Sequence, residues 1–101
     1  MIGDCFQKAA SLVMWDTEYK DAKVVHAMVH GQGPLQGEIY GHAWIELGDL
    51  AIDKSSDRNI QVPKELYYMA GKVTKTRVYN RNELFTHINK TEHWGPWEKL
   101  E

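Results

Sequence analysis

The chain has 101 residues, a formal net charge of −2 and 43% hydrophobic residues, which supply one modest core and predict a single domain over residues 1–101. The chain is therefore not strongly basic, and a general affinity for nucleic acid or anionic lipid is not expected. The one cysteine cannot form an internal disulfide, and an unpaired thiol fits a reducing compartment better than secretion.

The N-terminus shows no basic region followed by an apolar run, so no signal peptide is predicted. No apolar stretch approaches the ~18 residues that a membrane-spanning helix needs. We therefore expect a cytoplasmic protein with neither a membrane nor a nucleic acid as its partner. A small, self-contained domain of this kind would also suit a phage protein that acts in the host cytoplasm.

The first predicted element is a helix that begins after Asp4 and runs to about Trp15. Asp4 and Gln7 have the spacing of a capping box. Apolar residues follow at helical spacing and predict a core-facing side: Phe6, Ala9, Ala10 and Val13. Cys5 falls in the first turn, where free backbone N–H groups favour a thiolate. The alternative is that Cys5 is a small buried core residue.

A strand over residues 24–30 and a glycine-rich loop over residues 31–37 come next. The strand carries His26 and His30, which lack further cysteines or histidines at ligand spacing. We interpret both as strand residues with hydrogen-bonded or solvated rings. The loop is not followed by Gly-Lys-Ser/Thr or by a helix, which excludes a phosphate loop and indicates a hairpin connection.

The middle of the chain predicts a tight β-hairpin, because two alternating runs flank a Gly-Asp turn. With a two-residue loop, Leu47 pairs with Leu50. His42, Trp44 and Asp53 then project from one side of the ribbon, since side chains alternate with period two. His42 and Asp53 become diagonal neighbours, whose backbones lie about 7–8 Å apart and whose polar side chains can meet.

The rest of the chain predicts a loop, a short helix, an edge strand and a last helix, at residues 56–62, 63–71, 72–79 and from 80 onward. Asn80 and Glu83 have capping-box spacing at the start of that last helix. In the tail, Trp94 and Trp97 are interpreted as anchors on the core, the alternative being an aromatic wall beside a cleft. The predicted fold class is α+β, with the cysteine helix packed on an antiparallel sheet of about four strands.

Two short blocks resemble the transglutaminase-like branch of the papain superfamily, and together they span residues 3–55. His-Ala-Trp-Ile-Glu at residues 42–46, followed by Ile-Asp at 52–53, is similar to that family's His-Ala-Trp-Val-Glu … Val-Asp segment. Gly-Asp-Cys-Phe-Gln-Lys-Ala-Ala at residues 3–10 is similar to its Gly-x-Cys-x-x-x-Ala helix start. In the family, the histidine and aspartate lie on adjacent antiparallel strands, and the cysteine opens a helix that packs on the sheet.

The resemblance implies Cys5 as nucleophile, His42 as general base and acid, and Asp53 as the carboxylate that orients the histidine. The expected activity is thiol-dependent hydrolysis of an amide, peptide or isopeptide bond in a protein or peptide substrate. Deamidation or transglutamination would use the same residues. No cofactor and no metal are expected for this chemistry, and the oligomeric state stays open.

Tyr40, Trp44 and Gln32 are the residues expected to contact substrate. In family members, helices precede the cysteine, whereas only four residues do so here, so an oxyanion donor from that region has no counterpart. The backbone N–H of Cys5 can supply one donor. Tyr40, Gln32 and Gln36 are the candidates for the second.

Two other functions remain open at this point. One is a catalytically inactive papain-like fold that binds a protein through residues 94–97 and the glycine-rich loop. The other is a metal site built from Cys5, His42 and Asp53, with His26 as a further ligand.

Overall fold

The computed structural model describes residues 4–31 and 33–100, which form an α+β fold of three α-helices and five strands. In chain order these are α1 Cys5–Trp15, β1 Lys23–His30, β2 Ile39–Leu47, β3 Leu50–Asp53, β4 Ile60–Pro63, α2 Lys64–Gly71, β5 Thr74–Tyr79 and α3 Arg81–Thr91. The strands form one antiparallel sheet in the order β4-β3-β2-β1-β5. The predicted fold class is confirmed, and none of the helices in these ranges combines the length and apolar character needed to cross a bilayer.

Apolar side chains cover both faces of the sheet. On one face, α1 packs across β2 and β1 with Ala9, Ala10 and Val13 buried, as predicted for the apolar side of this helix. On the other face, Trp44 lies in a second cluster together with Tyr67 and Tyr68 of α2. The central strands are thus shielded on both sides.

The register of the central hairpin is as predicted. Leu47 pairs with Leu50, and Ile45 pairs with Ile52. Because β3 ends at Asp53 while β2 begins at Ile39, the first residues of β2 extend beyond the end of β3. The edge of β2 on that side is therefore open to approach by another element.

The predicted loop at residues 56–62 contains a strand, so the sheet has five strands rather than about four. β4 pairs with β3 from Ile60 opposite Asp53 to Pro63 opposite Leu50. Pro63 ends this strand and is the residue before α2, instead of lying in the first helical turn. A four-residue strand shows too little alternation to be recognised from sequence, and it forms because β3 offers an unpaired edge.

The interpretation of His26 as hydrogen-bonded or solvated is wrong. Its side chain is 0% exposed, and neither ring nitrogen has a hydrogen-bond partner within residues 4–31 and 33–100. The rings of Phe6, Tyr79 and Trp97 surround it at centroid distances of 4.7, 4.9 and 5.2 Å. Burial, together with the nearby His87, lowers the pKa of His26 to about 4, although Glu98 acts in the opposite direction. His26 is thus a neutral ring packed in an aromatic enclosure.

The C-terminal tail closes this enclosure. Trp97 stacks on His87 of α3 with centroids 4.7 Å apart and an interplanar angle of 9°. Trp94 and Trp97 are both partly buried against the core on the α1 face. The interpretation of the two tryptophans as anchors is therefore confirmed.

Candidate active site

His42 and Asp53 meet at the open end of the hairpin, as the register predicts. His42 Nε2 lies 2.9 Å from Asp53 Oδ2, within hydrogen-bond distance. The two side chains are buried, at 5% and 1% exposure. The diagonal pairing across two adjacent strands brings a histidine and a carboxylate into contact away from bulk solvent.

The Asp53 carboxylate is saturated with donors. Oδ1 accepts hydrogen bonds from the backbone N–H of Ser55 at 3.1 Å and from its hydroxyl at 2.7 Å. Oδ2 accepts from the Tyr67 hydroxyl at 2.8 Å as well as from His42. Burial alone would raise the pKa of Asp53, but the hydrogen bonds from His42, Ser55 and Tyr67 hold it well below its usual range. Asp53 is therefore a fixed anion with a fixed orientation.

The sulfur of Cys5 forms the other contact of the His42 ring. Burial would lower the pKa of His42, but hydrogen bonding to Asp53 and to Cys5 outweighs burial and raises it to about 9. Since Nε2 is engaged by Asp53, Nδ1 is the ring nitrogen that remains for the sulfur. The two acceptors, one on each ring nitrogen, thereby stabilise the imidazolium form of His42 at neutral pH.

Cys5 reaches His42 around the open edge of β2. Cys5 packs in the core cluster on the α1 face, whereas Trp44, on the same side of β2 as His42, belongs to the cluster on the α2 face. A contact between the two faces is possible only where β3 no longer pairs with β2. The start of α1 lies at this position, so the end of β3 determines where Cys5 and His42 can meet.

A short turn after β3 holds the start of α1. Asp4 precedes α1 as predicted, but its carboxylate does not cap the helix within the described part of the chain. It accepts instead from the backbone N–H of Ser56, at 3.2 and 3.4 Å to its two oxygens. Ser56 and Asp57 both have positive φ, of 51° and 61°, a conformation that costs a non-glycine residue about 1–3 kcal/mol. This link ties the element carrying Cys5 to the segment that follows Asp53.

Of the three residues expected to contact substrate, the structure describes Tyr40 and Trp44. Tyr40 is half-buried and lies beside His42, with ring centroids 6.0 Å apart. Trp44 is 1% exposed and packs beneath Tyr67 at 4.9 Å, so its position gives no support to a contact with substrate. Gln32 lies outside the described residues.

Gln36, the other candidate oxyanion donor, is exposed in the glycine-rich loop. Its backbone N–H donates to the carbonyl of Gly33 at 3.0 Å, and the residue bridges to Gly31. Of Tyr40 and Gln36, Tyr40 is the one that the fold places beside the His42 ring.

A cavity of about 320 Å³ opens beside His42 on the α2 face. Its walls come from β1, β2, β4 and α2, with Val29, Tyr40, Val62, Leu66 and Tyr67 among them. Arg58 also lines it and places Nη1 4.0 Å from Asp53 Oδ2. Sequence reasoning missed Tyr67, Arg58 and this cavity, because they follow from the pairing of β4 with β3. It also missed that Ser55 donates two hydrogen bonds to Asp53, a local contact between residues two positions apart.

No family model, curated protein or solved structure matches this chain. The likeness to transglutaminase-like enzymes therefore stays a hypothesis, carried by the two sequence blocks. The arrangement of Cys5, His42 and Asp53 has to be judged on its own geometry.

The metal-site alternative has no support in the described residues. Within residues 4–31 and 33–100, no group of three or more histidine, cysteine, aspartate or glutamate side chains is arranged to hold a metal ion. His26, the proposed further ligand, is enclosed by aromatic rings on the α1 face.

The hydroxyl of Tyr67 provides a first test of this site. Burial and the neighbouring Asp53 raise the pKa of Tyr67, so the phenol stays protonated and donates. Tyr67→Phe removes one of the four donors to Asp53 and keeps the ring on Trp44. We expect the free energy of unfolding at pH 7, measured by urea titration, to fall by about 1–2 kcal/mol.

Tyr68→Phe is the matched control. Tyr68 is the next residue of α2, also packs on Trp44, and hydrogen-bonds Glu46 rather than Asp53. Because Glu46 is only partly buried, we expect Tyr68→Phe to lower the free energy of unfolding by less than half of the loss in Tyr67→Phe. Equal losses in the two variants would argue against a special role for the bond from Tyr67 to Asp53.

Proposed function

We propose that this chain is a thiol-dependent hydrolase of an amide, peptide or isopeptide bond. Cys5 is the nucleophile, His42 the general base and acid, and Asp53 the carboxylate that orients the imidazole. The observation that carries the proposal is the position of His42, whose ring contacts the Cys5 sulfur and a buried, fully hydrogen-bonded Asp53. A nucleophile, a base within reach and a third group that orients the base are the requirements for an activated thiol.

The reaction follows from these roles. The thiolate of Cys5 attacks the substrate carbonyl carbon, an S–C bond forms, and the carbonyl oxygen takes the negative charge. As the tetrahedral intermediate collapses, the C–N bond breaks and imidazolium of His42 gives its proton to the leaving amine. Water then attacks the thioester while His42 takes a proton from it, releasing the carboxylic acid and restoring the thiolate–imidazolium pair.

The oxyanion requires donors close to the sulfur. The backbone N–H of Cys5, in the first turn of α1, can supply one of them. The hydroxyl of Tyr40 is the proposed second donor, since Tyr40 lies beside His42. Loss of one such donor costs roughly a hundred- to a thousandfold in rate.

Two variants of the chemistry share the same first half. If ammonia leaves from a glutamine side chain, the reaction is a deamidation. If an amine instead of water attacks the thioester, it is a transglutamination. Hydrolysis is the simplest of these reactions, because water is the acceptor and no binding site for a second substrate is needed. A free thiol of this kind is suited to a reducing compartment such as the cytoplasm.

Alkylation of Cys5 across pH tests the proposal. In the wild type, iodoacetamide should react at pH 6 at nearly its full rate, because paired His42 stabilises the thiolate. In His42→Ala, the rate at pH 6 should fall at least tenfold, since an ordinary thiol ionises near pH 8.5. At pH 10 the two rates should agree within a few-fold. Mass spectrometry of the intact protein gives the rates, because Cys5 is the only thiol.

His30→Ala is the control for the histidine substitution. His30 lies on β1, is partly buried and lines the cavity beside His42, but it is not one of the groups that act on the pKa of His42. His30→Ala should keep the wild-type dependence of the alkylation rate on pH. A wild-type profile with its midpoint near pH 8.5, unchanged by His42→Ala, would refute the proposed function.

The low exposure of Cys5 and His42 favours one alternative function. Cys5 is 3% exposed and His42 is 4% exposed, which is also expected of a structural cluster in a catalytically inactive protein-binding module. That alternative predicts a thiol that iodoacetamide does not reach in the folded protein and that Cys5→Ser replaces without effect. Native-state alkylation and unfolding of Cys5→Ser therefore separate the two functions.

A further inference from the structure

We infer that the cavity beside His42 binds an apolar group attached to the amine side of the scissile bond, and that it discriminates against a cationic group there. This inference rests on the proposed function and adds a substrate class to it. Three features of the cavity carry the inference: its size and lining, its position relative to Cys5 and His42, and its charge.

The cavity has the dimensions and lining of a site for one side chain or one small ring. Its volume of about 320 Å³ is at the low end of ligand-binding pockets. Val29, Ile60, Val62 and Leu66 supply apolar walls from three different elements. Leu66 is also 56% exposed, so the apolar lining continues to the rim and a ligand can enter from solvent. Such a cavity favours an apolar group of about the size of leucine or phenylalanine.

The position of the cavity assigns it to the leaving group. His42 lines the cavity, whereas Cys5 does not. The carbonyl carbon has to lie over the Cys5 sulfur, and the leaving nitrogen has to lie where His42 can protonate it. A group that continues from this nitrogen past His42 enters the cavity, while the acyl group extends from the Cys5 side.

The charges around the cavity disfavour a cation. Arg58 lines it, and no aspartate or glutamate among residues 4–31 and 33–100 does so. The nearest carboxylate, Asp53, is already occupied by four hydrogen bonds and by Arg58 at 4.0 Å. A lysine-like group would thus meet an arginine without a free counterion, whereas a neutral or anionic group would not.

Substituted iodoacetamides test this inference on the intact protein. N-benzyl iodoacetamide and N-(4-aminobutyl) iodoacetamide place an apolar or a cationic group on the amine side, while Cys5 displaces iodide from the methylene carbon. Each rate is divided by the reagent's rate with free cysteine and compared with iodoacetamide itself. We expect the benzyl reagent to react with Cys5 about tenfold faster than iodoacetamide, and the aminobutyl reagent no faster.

Val62→Phe fills the cavity. It should bring the benzyl preference, which is the corrected rate of the benzyl reagent divided by that of iodoacetamide, close to one. Gln61→Phe is the matched control, because it places the same side chain at the neighbouring, exposed position of β4 and should keep the preference. A wild type that reacts equally with all three reagents, with its dependence on His42 intact, overturns the cavity inference and leaves the proposed function standing. Loss of the dependence on His42 with every reagent overturns both.

Discussion

Asp53→Asn should lower the free energy of unfolding at pH 7 by about 3–5 kcal/mol, because it removes one partner of a buried pair and leaves the other without compensation. In the wild type, the carboxylate receives donors from His42, Tyr67 and both groups of Ser55. An asparagine of the same shape can still accept on one oxygen. Its amide group, however, points donors at His42 and Tyr67, where the wild type has an acceptor.

The pH dependence of this loss has a defined sign. The pKa of His42 is raised from 6.5 to about 9, so its contribution to stability is fully present below pH 6.5 and is lost as the pH rises through 9. The pKa of Asp53 is lowered, so its contribution is present above its ordinary value and is lost as the pH falls toward its value in the folded state. The difference in unfolding free energy between wild type and Asp53→Asn should therefore be widest between about pH 4 and 6.5, decrease through neutral pH and be small above pH 9.

Asp49→Asn is the matched control for this substitution. Asp49 lies exposed in the hairpin turn of the same ribbon, and the change removes the same charge. Surface substitutions of this kind change the free energy of unfolding by no more than about 0.5 kcal/mol. Urea unfolding followed by tryptophan fluorescence measures both variants. Equal losses in the two would mean that the buried pair contributes no more than a surface charge.

The hairpin and its histidine–aspartate pair could be predicted because a two-residue turn determines the register of the two strands that it joins. Once Leu47 opposes Leu50, the alternation of side chains places His42 and Asp53 on one face and leaves them diagonal. The first helix was equally clear, since its apolar residues recur at helical spacing and Cys5 stands at its start. These features depend on local pattern alone.

The surroundings of the pair could not be predicted, because they depend on packing between distant segments. Tyr67 reaches Asp53 only because β4 pairs with β3 and α2 follows directly on that strand. Asp4 has the sequence position of a helix cap, yet it binds Ser56, which lies 52 residues further along the chain. Nothing local distinguishes a carboxylate that caps a helix from one that holds a remote turn.

The enclosure of His26 illustrates the same limit and leads to the second large prediction. Between pH 6.5 and 4, the unfolded chain binds a proton at His26 that the folded protein does not, because the pKa of the buried ring is about 4. Stability is therefore lost as the pH falls through this range, by about 3 kcal/mol at pH 4. His26→Leu replaces the ring by an apolar group of similar volume and should remove this part of the acid sensitivity.

The comparison is made as the difference in unfolding free energy between His26→Leu and wild type at pH 7 and at pH 4.5. At pH 7 the variant should be at least as stable, because the native ring buries two nitrogens that have no partner among the described residues. At pH 4.5 its advantage should grow by about 2 kcal/mol or more. His30→Leu, on the same strand but only partly buried, controls for loss of a histidine. An advantage that does not change with pH would mean that His26 takes up its proton in the folded protein without cost, despite the rings of Phe6, Tyr79 and Trp97 around it.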